Sequence, residues 1–95
     1  MHDTNSNDAA ASGLALQALV WALSDDTRAS RLLALTGLTP DGLRGGIGDR
    51  GLQAAILAFL ENHEPDLIAC AEGIGTTPKA LVAARMTLEN MEFEA

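Results

Sequence analysis

Residues 37–43 read GLTPDGL and residues 75–81 read GTTPKAL, and what this repeated punctuation means decides the fold. Thr39 and Thr77 each carry a hydroxyl that can accept a hydrogen bond from a free backbone N–H at a helix start. Pro40 and Pro78 follow at the first helical position, where a missing N–H is harmless and a fixed φ suits the helix. Ahead of each turn stands a glycine able to end the preceding helix in the left-handed conformation, Gly37 in the first copy and Gly73 or Gly75 in the second. Each copy therefore says stop, turn and start, and Leu43 and Leu81 become the first large core residues of the helices that follow.

Upstream of the two turns the match is looser. ALVWAL at 18–23 corresponds to AILAFL at 55–60, and LLALTGL at 32–38 to LIACAEGI at 67–74, at separations that drift between about 36 and 38 residues. One unit is then a helical hairpin followed by a capped third helix. Two such units, each unable to bury its apolar face alone, pack on each other. The expected fold is all-α: a compact bundle of five or six short helices, built from two similar helical units of about 37 residues. It forms a single domain over 9–91, with a flexible tail at 1–8 and an acidic end at 92–95.

Helix one is expected from about Ala9 to Leu23. Leu16, Leu19, Val20 and Leu23 recur at i, i+3, i+4 and i+7 and are assigned to the core. Between Leu14 and Leu23 only Gln17 is polar, so Leu14, Ala18 and Trp21 form a second apolar stripe. A helix apolar on nearly every side is either central in its domain or covered by another chain. In the second case Leu14, Ala18 and Trp21 make the protein interface, with Trp21 as its anchor. Helix two is expected over 27–36 with Leu32, Leu33 and Leu35 inward and Arg28 and Arg31 toward water. A later helix spans Arg50 to Leu60 with Leu52, Ile56, Phe59 and Leu60 on one face, and the last runs over 78–91.

Composition agrees with a helical core. Hydrophobic residues make up 47% of the chain, yet it holds two Phe, one Trp and no Tyr, so Leu, Ile, Val and Ala must fill the interior. These suit close helix packing better than strands. Thirteen Asp and Glu outweigh six Lys and Arg for a net charge of -7, the wrong sign for phosphate backbones or anionic lipid. The single cysteine, Cys70, excludes an internal disulfide and a thiolate pair for zinc, and is most simply a small core residue. The opening MHDTNSND lacks the basic residues of a signal peptide, and the apolar tract at 9–23 is shorter than the roughly 20 residues that cross a bilayer. A cytoplasmic protein without a membrane association is the default.

LALQALVWAL, SRLLALTGLTPDGLR, LQAAILAFLENHEPDLI and GTTPKALVAARMTL together resemble the alphaproteobacterial domain of unknown function 3572. The resemblance covers about residues 14–88. Its most specific part is carried by Arg31, Leu33, Ala34, Leu35, Thr36, Gly37, Leu38, Pro40, Leu43 and Arg44. Where the family often has a proline after the first helix, this chain has Asp25-Asp26-Thr27. The resemblance implies a helical fold, a bacterial cytoplasmic setting and, from the response regulator often encoded near members of the family, a signalling context. It brings no catalytic residues.

Chemical motifs are scarce. Gly46-Ile47-Gly48-Asp49-Arg50-Gly51 spells a dinucleotide fingerprint, but no strand leads into it, so it is a loop with Asp49 as helix cap. Arg44 and Arg50 flank that loop and are candidate anion contacts, unless they pair with Asp41 and Asp49. His63-Glu64 has Leu67 where a metalloprotease motif needs histidine, and neither a metal site nor a cofactor is expected. The stretch from Asp66 to Arg85 imitates a helix-turn-helix, with Lys79 and Arg85 as nucleic-acid contacts, yet binding of this kind commonly uses 6 to 10 phosphate contacts. The favoured function is a non-catalytic protein-interaction or regulatory module, binding another protein or itself. A nucleic-acid binder is the alternative.

Overall fold

The computed structural model describes residues 3–90, with side chains from Asp8 onward. Six helices follow one another: α1 (Asp3–Leu23), α2 (Asp26–Thr36), α3 (Pro40–Gly46), α4 (Arg50–Glu61), α5 (Glu64–Ile74) and α6 (Pro78–Asn90). The bundle is all-α, as expected. Helix α1 starts at Asp3 rather than Ala9, and the acidic end at 92–95 lies outside the described residues.

The two Thr-Pro turns behave alike. Gly37 and Gly75 close α2 and α5 with φ of 73° and 77°, and Thr39 and Thr77 accept from the backbone N–H groups of Gly42 and Ala80. Asp25 caps α2 by accepting from Arg28 N–H, and Asp49 caps α4 by accepting from Leu52 N–H. The glycines, threonines and prolines of the two turns stand 38 positions apart (37 and 75, 39 and 77, 40 and 78), as do the ends of α1 and α4 at Leu23 and Glu61. This corrects the register: residues 18–23 match 56–61, and 32–38 match 70–76. In that register Trp21 corresponds to Phe59 and Leu35 to Gly73.

Helices α1 and α4 cross each other, and α6 packs against both. The core is filled by fully buried Leu32, Ile56, Leu57, Leu60, Leu81 and Leu88, with Cys70 among them. Burying each large aliphatic side chain contributes about 1.5–3 kcal/mol. Helix α1 is central, but its inward face differs from the expected one. Ala11, Ala15, Ala18, Leu19 and Ala22 are buried, whereas Val20 is 70% exposed and Leu23 41%. Close approach of α1 to α4 and α6 requires small side chains at the crossing, so alanine displaces the larger residues outward. Ala18 is fully enclosed and cannot belong to an interface. Leu14 packs on the core, and Trp21 is half-buried.

Buried Gln53 passed unnoticed in the sequence. Its Nε2 donates to the Ile47 carbonyl at 2.7 Å and ties the α3–α4 loop to α4. An unpartnered amide there would cost about 1–3 kcal/mol.

Candidate functional site

Ion pairs join distant elements and absorb most of the basic residues. Arg50 meets Asp8 at two points, 2.8 Å from Nη1 to Oδ2 and 2.7 Å from Nη2 to Oδ1, and so fastens α4 to α1. Arg44 pairs with Asp41 at 3.2 Å on the surface. Each candidate anion contact thus has a carboxylate partner, Arg50 across the fold and Arg44 on the surface. Arg85 lies between Glu61 on α4 and Glu89 one turn further along α6. The two carboxylates raise its pKa above the ordinary value. Arg85 is thus a partly buried, doubly paired side chain, and Lys79 is the exposed base of that helix.

Helix α2 carries two arginines with structural work. The Arg28 guanidinium stacks on Trp21, 3.8 Å from the ring centre. Arg31 lies 5.6 Å from the centre of the Phe59 ring and donates to Asp66 at 2.7 Å. His63 Nδ1 approaches the same Asp66 oxygen at 3.0 Å. Burial pushes the Asp66 carboxyl upward, but the hydrogen bonds from Arg31 and His63 outweigh it and hold the pKa below its usual value. Cys70 is enclosed, and burial pushes its thiol up to about 11. That leaves it protonated and unreactive at neutral pH.

What the bundle leaves open is apolar. Leu35, assigned inward by periodicity, is 65% exposed. With Leu38 and Leu52 it lines a groove of about 580 Å³ that runs along Ala55, Ala58 and Phe59 of α4. Past Leu35 and Phe59 the groove continues to Arg31 and His63. A second groove, of about 500 Å³, lies between α1 and α5, lined by Gln17, Val20, Trp21, Ser24, Gly73 and Ile74. Moved by 38 positions, these six become Ala55, Ala58, Phe59, Asn62, Leu35 and Thr36, and all six line the first groove. The internal repeat therefore builds one groove twice. Sequence periodicity missed both copies, because a groove is defined by two helices brought together in space.

A family model described as a protein of unknown function, DUF3572, matches residues 8–91. The chain belongs to this family. The match covers both halves of the repeat and both grooves, and so takes in all six helices, with α1 from Asp8 onward. No curated protein and no solved structure matches the chain. Among the described residues, no helix is long and apolar enough to cross a membrane.

Proposed function

We propose that this DUF3572 protein is a non-catalytic interaction module of the cytoplasm that acts by docking another protein. The observation that supports this best is Leu35, a large side chain held 65% exposed over a groove floored by alanines and Phe59. Apolar surface kept open in this way marks binding sites in small soluble domains. The groove's size falls in the range of ligand clefts, but its walls offer few polar groups to orient a small molecule, so a protein surface fits better. The groups that catalysis would recruit are engaged elsewhere: Cys70 is buried and His63 is held by Asp66.

The test is affinity capture of the tagged full chain from its native lysate, with and without nuclease, read by mass spectrometry. A stoichiometric protein that survives nuclease and is lost with Leu35→Lys is the expected result. Recovery that vanishes with nuclease would overturn the reading and return the nucleic-acid alternative through Lys79.

A further inference from the structure

The two grooves are related by the repeat, yet they are not equally able to receive a partner. In the α1–α5 copy, Val20 projects from the floor with 70% of its surface exposed, and the indole of Trp21 is covered by Arg28. In the α2–α4 copy the same positions are Ala58 and Phe59, which is buried with Arg31 5.6 Å from its ring centre, and the exposed Ala55 stands in place of Gln17. Small side chains on a helical floor let another backbone approach closely, and Leu35 and Leu52 supply walls. Helix α4 has 12 residues, so the trough along it is about 18 Å long at 1.5 Å per residue. That accommodates three to four turns of a second helix.

Charge selects the kind of helix. Arg31, Arg44, Arg50 and Arg85 are ion-paired and Arg28 lies on Trp21, whereas Asp26, Asp49, Glu64 and Glu72 make no ion pair among the described residues. Asp49 lines one end of the groove. Its Oδ2 caps α4, and its carboxylate remains exposed. At the other end the charge of Arg31 is already met by Asp66. The net charge of -7 also sets two copies of the chain against each other. We infer that the α2–α4 groove receives an amphipathic helix of a different protein, with an apolar i, i+3, i+4, i+7 stripe on Leu35, Ala55 and Ala58 and basic residues at the end that meets Asp49. This rests on the interaction-module reading and deepens it.

The probe is a synthetic helix of about four turns with leucines at those positions and lysines at the end that meets Asp49, beside a counterpart with glutamates for lysines. Each is titrated into the full-length ¹⁵N-labelled protein. Expected are saturable amide shifts centred on Leu35, Leu52, Ala55 and Phe59, with binding about tenfold weaker for the glutamate peptide. Ala55→Arg, exposed on a helix and compatible with it, blocks the floor and abolishes the shifts. Asp49→Ser keeps the cap, removes the charge and weakens the lysine peptide several-fold, while Val20→Lys leaves binding unchanged. Shifts centred on Val20 and Trp21, equal affinity for both peptides, saturation of the groove by a second copy, or no saturable shift each overturn the inference. Cross-linking in lysate separates this from the broader reading: a partner fixed to another face refutes the groove alone, and the absence of any protein partner refutes both.

Discussion

The Trp21 indole lies against α5 where Gly73 has no side chain: a Cβ at Gly73 would stand 2.9 Å from the indole nitrogen and 3.0 Å from its neighbouring carbon. The ring's position is also fixed by Arg28 stacked at 3.8 Å. In Gly73→Ala, helix α5 gains about 1 kcal/mol of intrinsic preference, but the indole has to move and its stack on Arg28 loosens. The expected outcome is a shift in tryptophan emission with net stability altered by less than about 1 kcal/mol. Unchanged emission would mean that the ring is not held by Gly73. In the α2–α4 groove the corresponding positions are Leu35 and Phe59, so a leucine side chain stands where the α1–α5 groove has Gly73.

The inward face of α1 yields a sharper contrast. Ala18 is fully buried and Val20 is 70% exposed. Ala18→Leu forces extra carbons into a closed helix crossing and is expected to cost about 1–3 kcal/mol. Val20→Ala removes two methyls from solvent-facing surface and is expected to change stability by less than about 0.5 kcal/mol. Urea denaturation of the two variants measures both. The reverse order would restore the larger residues to the core.

That contrast marks what the sequence can and cannot say. The turns were legible because their chemistry is local: Gly37 with Thr39 and Pro40, and Gly75 with Thr77 and Pro78, each satisfy backbone groups within a few residues. The burial of Leu32, Leu43, Ile56, Cys70 and Leu81 followed from the same reading. The face of α1 was not legible, because periodicity selects a side only when the other side is polar, and α1 is apolar almost all round. Leu35 was misplaced for a related reason. Its helix was assigned an inward leucine cluster, while α4 arrives on one side only and leaves Leu35 as a wall. The ties from Asp8 to Arg50, Arg31 to Asp66 and Glu61 to Arg85 join residues far apart in the chain, and nothing local announces them.

Arg85 tests whether α6 is held by charge as well as by Leu81, Ala84 and Leu88. Its guanidinium and the Glu61 carboxylate are each about a quarter exposed, 23% and 22%, so solvent screens them only partly. Arg85→Met keeps the aliphatic stem and removes the charge, leaving Glu61 without its partner. The expected loss is about 1–2 kcal/mol, read by chemical denaturation and reduced by added salt. Lys79→Met, on the exposed start of the same helix, should fall within about 0.5 kcal/mol of the parent. Equal effects would show that the α4–α6 tie contributes nothing beyond surface charge.

Asp66 makes the fold sensitive to acid. Its carboxyl is 15% exposed and receives Arg31 at 2.7 Å and His63 at 3.0 Å, and its folded pKa lies below the ordinary value of 3.8. A depressed folded pKa means that the unfolded chain takes up the proton first on acidification. The stabilisation is therefore fully present above the unfolded value and is lost as the pH falls through the folded one. Arg31 is 43% exposed, so screening keeps the contribution to about 1 kcal/mol. The stability difference between the parent and Asp66→Asn is expected to be present at about pH 5 and to shrink as the pH falls below the ordinary carboxyl value. A difference that persists at the lowest accessible pH would assign the effect of the substitution to lost packing at the start of α5 instead of to charge.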